Sequence, residues 1–374
     1  LYHARLDSGA ATDAPSAPIL PARAADLAAN GDPDWLAAEW ERLEAGGRWP
    51  TQTHAFAAAL EPLLAGQRRR LLCVLRDSTI AALLPICRAP GWRARWRMAG
   101  SCELFEPGDL LCESADDAAA LTALFRTLDR PLSLDRIPAD SQLLPVFRSA
   151  MKGRGWLSVR PAPPCPMIRL DESWRDPESR FNAGRRSDFR RAARRAAALG
   201  QVTYETLTPS PAEFDALFDE AIGVEARSWK REAGSAIAVD RLRETFFRRF
   251  FRAAATQGNF RLSFLRIDGE AVAMQLALIW SGRYWLFKIG HDDRFGKCSP
   301  GTLLMLHALR WAAGQQLESF ELLGETEAWI TRFWTQDHHA CVRVRTYPFT
   351  AAGMIAFASD GAVWAWQRLH PRDR

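Results

Sequence analysis

Two stretches of this chain, about 190 residues apart, carry the same phrase, and that recurrence restricts the available folds more than any other feature. Leu71-Leu72-Cys73-Val74-Leu75-Arg76 passes through Asp77-Ser78-Thr79 into Ile80-Ala81-Ala82-Leu83-Leu84-Pro85-Ile86-Cys87. Arg261-Leu262-Ser263-Phe264-Leu265-Arg266 passes through Ile267-Asp268-Gly269-Glu270 into the apolar run 271–278. Apolar runs of this length around a short polar turn read as strand, turn, strand, and Asp-Gly suits the left-handed backbone of a tight hairpin. Helical sequence precedes each copy and further strand follows it. The repeated order of helices, hairpin, strand and helix predicts two related halves in a mixed α/β (α+β) fold. Each half carries a mostly antiparallel sheet flanked by helices.

A length of 374 residues suits about two such domains. Residues 1–28, rich in Ala, Ser, Pro and Asp with no apolar period, read as a flexible tail. The first lobe then spans 29–164 and the second 165–374, divided at Pro161-Ala162-Pro163-Pro164, a cluster expected to break regular structure. The first lobe opens on a helix from Pro33-Asp34-Trp35, with Trp35, Leu36, Trp40 and Leu43 on one face, and a second helix over 53–65. In the second lobe, strands are expected at 165–170, 201–206, 283–290, 317–323 and 341–347, beside the hairpin. Helices are expected at 177–199 (stopping at Gly200), 211–230, 239–256, from Pro300, at 325–333, and at the end as far as Leu369.

Charge narrows the function less than it first suggests. Only four of the 49 basic residues are lysine (Lys152, Lys230, Lys288, Lys297), a bias that GC-rich codons produce, and the net charge is +5. A basic surface for phosphate, CoA or nucleic acid is compatible with this balance but is not required by it. No run of 18 apolar residues predicts a membrane span, and the start shows no apolar leader, so a cytoplasmic location is expected. The seven scattered cysteines form no CxxC pair and no zinc spacing, so reduced thiols and no structural metal are expected.

The segment richest in chemistry is Gly290-His291-Asp292-Asp293-Arg294-Phe295-Gly296-Lys297-Cys298-Ser299-Pro300-Gly301-Thr302-Leu303-Leu304. It is no nucleotide P-loop: Gly290 to Gly296 leaves one residue too many, and Cys298 stands where a hydroxyl should hold magnesium. It reads as a strand end, a polar loop, an N-cap serine and a first-turn proline. The helix that follows has Leu303, Leu304, Ala308 and Trp311 on one face. Gly301 permits close approach, no acid occurs from Cys298 to Gln315, and Lys297 adds a cation. Amides and dipole at such a helix start suit a pyrophosphate, although Ser-Pro-Gly is equally a plain helix opening.

Taken in order, Glu225, Trp229 and Lys230, the Asp268-Gly269 hairpin, and Ser299-Pro300-Gly301 with Leu303-Leu304 resemble the GNAT N-acetyltransferase superfamily in its CelD/FemAB-like branch. The Arg-rich helix with Arg190-Arg191 that ends at Leu199-Gly200 adds to the likeness. It covers roughly 165–335, with the first half as a degenerate copy. The resemblance implies a two-lobed, metal-free acyltransferase whose co-substrate is acetyl-CoA or a longer acyl-CoA. It implies that the strand before the loop parts from its neighbour, so that the backbone of Phe287, Lys288 and Ile289 meets the pantetheine and thioester. Gly296, Lys297, Ser299, Gly301 and Thr302, with Cys298 in the same loop, would hold the pyrophosphate.

An amine of a sugar, polysaccharide precursor or secondary metabolite would then attack the thioester directly, which requires a base. Glu225 is the first candidate, with His291 and Asp292 as rivals; Glu225 pairing with Arg227 or Lys230, and His291 as a solvated loop residue, are the plain alternatives. Trp229, Lys230 and Gln275 are expected toward the acceptor; Gln275 lies in the apolar run 271–279, where a buried amide requires partners. Where relatives often carry Tyr-Lys, Gly324 is followed by Glu325-Thr326-Glu327-Ala328-Trp329-Ile330, so the tyrosine that reprotonates the thiolate is missing. Two alternatives stand beside this reading: a FemAB-like transferase using aminoacyl-tRNA, its Arg-rich helix on the nucleic acid, and an inactive scaffold or regulator. Aromatic residues between those arginines are few, which makes nucleic acid the weaker partner.

Overall fold

The computed structural model describes residues 23–26, 33–128, 130–228, 237–324 and 327–370. Along the first half run β1 (Arg23–Asp26), α1 (Pro33–Glu44), α2 (His54–Ala59), β2 (Arg68–Arg76), β3 (Thr79–Arg88), β4 (Arg97–Met98), β5 (Leu111–Cys112), α3 (Ala115–Ala120), α4 (Thr122–Thr127), β6 (Ser133–Pro138) and α5 (Leu143–Met151). Then come β7 (Gly155–Arg169), α6 (Ala183–Ala197), β8 (Val202–Leu207), α7 (Phe214–Ala226), α8 (Arg241–Thr256), β9 (Phe260–Ile267), β10 (Glu270–Trp280) and β11 (Arg283–His291). The chain closes with α9 (Pro300–Gly314), β12 (Ser319–Glu321), α10 (Ala328–Phe333), β13 (His338–Pro348) and α11 (Ala351–Leu369). One sheet has the order β1-β2-β3-β4, with β5 also on β3; the other has eight strands in the order β6-β13-β7-β12-β11-β10-β9-β8.

Both hairpins form where the repeated phrase places them. Asp77 and Ser78 (φ 48° and 70°) turn β2 into β3, and Asp268 and Gly269 (φ 48° and 83°) turn β9 into β10. Two consecutive left-handed residues match the twist of the flanking strands. The helix expected over 177–199 divides instead: a 3₁₀ turn at Pro177–Arg180 precedes α6, whose start is capped by Asn182 Oδ1 accepting from the Arg185 amide at 2.9 Å.

Two boundaries differ from expectation. Within the segment read as a tail, Arg23–Asp26 forms an edge strand, paired from Arg23↔Leu75 to Asp26↔Leu72. The proline cluster at 161–164 does not end regular structure, because β7 passes through it unbroken. β13 pairs with β7 over 155–166, whereas β12 joins only at Met167–Arg169. For most of its length β7 therefore has a strand on one side only, where proline's missing donor is tolerated. β13, from the far end of the chain, lies between β6 and β7, pairing Val342 with Ile137 on one side and Tyr347 with Trp156 on the other. Its Val344 packs with Leu134, Phe125 and Phe147 of the first half, so the division does not fall at residue 164.

The halves also share a core. Phe56 of α2 meets Phe246 and Phe250 of α8 at 5.2 and 5.3 Å between ring centroids, and Trp49 meets Trp285 of β11 at 5.3 Å. Edge-on aromatic contacts of this kind add to the area buried and fix one geometry.

At the base of α1, Glu44 is buried; burial pushes its carboxyl up to about 7, past the opposing His54 amide that it accepts at 2.6 Å, with Glu41 adding to the rise. A folded-state value above the unfolded one stabilises at low pH, and that contribution is lost as pH rises through about 7. Glu44→Gln is expected to leave urea stability near pH 5 almost unchanged and to raise it by about 2 kcal/mol at pH 8.

Candidate active site

β10 and β11 pair Leu276 with Lys288 and then Ala277 with Leu286, which leaves Phe287 as an extra residue in β11. This bulge turns both Phe287 and Lys288 toward α8: the Phe287 ring lies 5.5 Å from that of Phe250, and Lys288 Nζ lies 4.9 Å from the Phe247 ring centre. On the other side, β11 and β12 run parallel only from Arg283↔Ser319 to Trp285↔Glu321. Beyond that, the Leu322 amide bonds to the Pro166 carbonyl of β7, and Leu323 and Gly324 (φ 48° and 55°) turn the chain aside. The two strands part where the bulge begins.

A charged cluster gathers at this opening. Glu106, from the loop between β4 and β5, accepts the Gly324 amide at 3.4 Å through Oε2. Burial raises its carboxyl above the ordinary glutamate value, opposed by Arg136, Lys288 and that amide. Burial lowers the Lys288 ammonium in turn, opposed by Glu225 and Glu106, while Arg243 adds to the lowering. Arg136 of β6 is buried and donates to the Phe105 carbonyl at 2.5 Å, to Cys165 Sγ at 2.8 Å and to the Gly324 carbonyl. Glu225 of α7 is buried as well, with Oε2 accepting the Ile237 amide at 2.9 Å. A Cβ at Gly290 would lie 3.0 Å from Glu225 Cα, so glycine is what lets α7 settle on β11.

Neither Glu106 nor Arg136 was a candidate from the sequence. Both come from the first half, and only the insertion of β13 between β6 and β7 brings them to the second. The one local signal is an acid directly before Pro107-Gly108, a turn that fixes the direction of its loop.

The loop after β11 is less open than its sequence suggests. Ser299 is left-handed (φ 49°, ψ 54°) and its side chain caps no amide, which corrects the N-cap reading. Its carbonyl accepts the amides of Thr302 at 3.0 Å and Leu303 at 3.2 Å. Pro300 has no N–H, so Gly301 is the first-turn amide left outside those bonds. Gly296, Lys297 and Ser299 are exposed, and the Lys297 carbonyl accepts from Arg195 of α6 at 3.1 Å. A Cβ at Gly296 would meet nothing within 4 Å, and one at Gly301 only His291 Nδ1 at 3.6 Å. An open surface, two cations and a helix start fit a diphosphate. Cys298 contributes only backbone: its buried thiol donates to the Phe295 carbonyl at 3.0 Å, and burial raises its pKa.

The remaining candidates separate. Asp292 is buried and accepts Arg227 Nε at 2.6 Å and Arg294 Nη2 at 2.7 Å. Burial works against its charge, but Arg294, through side chain and amide, and Arg227 outweigh it and hold the pKa at about 2. Held by both arginines, this carboxylate anchors the loop. His291 is half-buried beside Gly301, its Nε2 3.5 Å from Asp293 Oδ1, at the loop and not in the charged cluster. Gln275 is buried toward α9, its Nε2 3.7 Å from Met305 Sδ, on the sheet face opposite Lys288, which removes it from the opening. Ile289 pairs with Gln275 and packs on that same side. Trp229 and Lys230 lie outside the described residues. Of the expected site, the structure brings together Phe287, Lys288 and Glu225.

Residues 183–330 match the family model described as acetyltransferase (GNAT) domain. No curated protein matches the chain by sequence. Among solved structures, FemX superposes with a TM-score of 0.54 at 10% identity, over 84% of this chain and 96% of that one. A C-terminal DUF2156 domain, from a protein named as a lysylphosphatidylglycerol synthetase of Agrobacterium fabrum, superposes with a TM-score of 0.51 at 12% identity, over 87% and 95%. At these identities the likeness is one of fold, and it extends over both halves.

Proposed function

We propose, from the match of residues 183–330 to a GNAT acetyltransferase domain and the fold shared with FemX, that this chain is an acyl-CoA-dependent N-acyltransferase of the FemAB-like branch. Its acceptor is an amine of a sugar, polysaccharide precursor or secondary metabolite. The observation that carries this reading is the parting of β11 from β12 at a bulge, with Glu106, Lys288 and Glu225 converging on the opening.

Acyl-CoA supplies the acyl group as an activated thioester. The loop 296–302, with Lys297 and Arg195, holds the diphosphate, and the backbone at Phe287 and Lys288 lines the path to the opening. A protonated amine has no lone pair to attack with, so a carboxylate must take its proton. Glu106 has the environment for this: burial raises it toward neutrality, and Arg136 and Lys288 keep the ionised form accessible. Glu225 favours the charged form of Lys288 and fastens the Ile237 amide. Peptide N–H groups at the bulge serve the oxyanion. Trp329 and Ile330, in the region where relatives often carry a tyrosine, pack into the core, and Lys288 at the bulge serves as the acid.

Calorimetric titration with acetyl-CoA and longer acyl-CoAs tests the first requirement. Gly301→Asp, which the local space accepts, is expected to weaken CoA binding by about 100-fold through repulsion; unchanged affinity removes the loop from the site.

One observation favours a second reading, an aminoacyl-tRNA donor. A groove of about 300 Å³ between α6 and α9 is lined by Arg186, Arg190, Tyr204 and His307, with Arg310 held by Glu178 at 2.6 Å, so cations lie beside rings on which a base can stack. Loss of activity on ribonuclease treatment transfers the assignment to it. CoA binding without turnover supports a scaffold instead.

A further inference from the structure

The last helix presents its apolar side outward. Gly353 and Ala356 of α11 are buried against the body, while Met354, Ile355, Ala358, Ala362, Ala365, Trp366 and Leu369 recur at three- and four-residue spacing on the exposed side. Trp366 is 53% exposed and Leu369 77%. No charge interrupts that face. The one acid on the helix, Asp360, is turned inward to Arg95, Arg345 and the Tyr347 hydroxyl, at 2.7, 2.9 and 2.7 Å. Phe349 and Trp156, both exposed, extend the apolar surface past the start of the helix, their ring centres 5.1 Å apart.

Beside this face lies a cleft of about 370 Å³ between α11 and the β7–β13 ladder, lined by Arg160, Arg343, Tyr347, Trp364 and the paired Arg345 and Asp360. Arg160 and Arg343 are direct cross-strand partners, so their side chains leave the sheet on the same side. Like charges placed opposite one another destabilise a ladder. Among the described residues neither guanidinium has a carboxylate within ion-pair distance.

We infer that α11 and the arginine pair dock this protein on an anionic phospholipid surface. The apolar face enters the acyl boundary, and Arg160 and Arg343 meet lipid phosphates at the level of the headgroups. The charge pattern selects this occupant over the others. A second copy would bring the same two arginines to the contact and, with Asp360 turned inward, no acid of α11 to meet them. A nucleic acid would leave Met354, Ile355 and Leu369 uncovered. Among the described residues no helix is long and apolar enough to cross a membrane, so α11 lies on the surface and does not span it.

The test sediments the full chain with vesicles of phosphatidylcholine alone and of phosphatidylcholine with an equal part of phosphatidylglycerol. Partition onto the mixed vesicles is expected to be about tenfold stronger or more, and to fall as salt is raised. Trp366→Glu with Leu369→Glu is expected to abolish it, and Arg343→Glu to reduce it about tenfold, with thermal unfolding unchanged in both. Absence of binding to either vesicle, or equal binding to both, overturns the proposal. So does a concentration-dependent dimer in sedimentation velocity that the helix variant dissolves.

Discussion

Glu106→Gln is expected to lower kcat for N-acylation by about a thousandfold while leaving acyl-CoA affinity within about twofold of the parent. The amide keeps an oxygen to accept the Gly324 N–H, so the loop stays in place and only proton uptake is lost. The pH dependence separates this role from a structural one. Burial, against Arg136 and Lys288, holds the Glu106 carboxyl above 4.5. The active form is the ionised one, so activity rises with pH through that raised value, and the acidic limb disappears in the variant. Full activity in Glu106→Gln combined with loss in Glu225→Gln returns the base to Glu225.

Arg136→Met has the second large effect, and it falls on both stability and chemistry. The buried guanidinium joins Phe105 in the first half to Cys165 and Gly324 in the second. Its removal takes the donor from the Phe105 and Gly324 carbonyls and deprives Glu106 of its strongest countercharge. A loss of about 3–5 kcal/mol in urea unfolding is expected. Because Arg136 lowers the Glu106 value, its loss also moves the acidic limb of the rate profile to higher pH. A purely structural arginine would leave that limb where it was.

Elements held by local chemistry were legible in the sequence. Asp268-Gly269 announced its hairpin, the phenylalanines of α8 their buried face, and Gly290 to Leu304 a strand, a loop and a helix. The errors arose where distant residues decide. Pro161–Pro164 reads as a break because proline deletes a donor; nothing nearby reveals that β7 lacks a second neighbour there. Asp292 looked like a base because its two arginine partners, Arg227 and Arg294, become a clamp only after folding. Gln275 sits in an alternating strand, and which face it takes depends on the bulge one residue further along the same ladder. Glu106 and Arg136 were invisible for the same reason: their partners, Gly324 among them, come from the far end of the chain.

That strand also sets a timetable. β6 emerges about 200 residues ahead of the partner with which it must pair. While the polypeptide is being synthesised, the earlier half waits with an open edge, exposed to chaperones and to mispairing, until nearly everything has left the ribosome. Separately expressed halves cut near residue 164 are therefore expected to be insoluble alone and to recover only when refolded together.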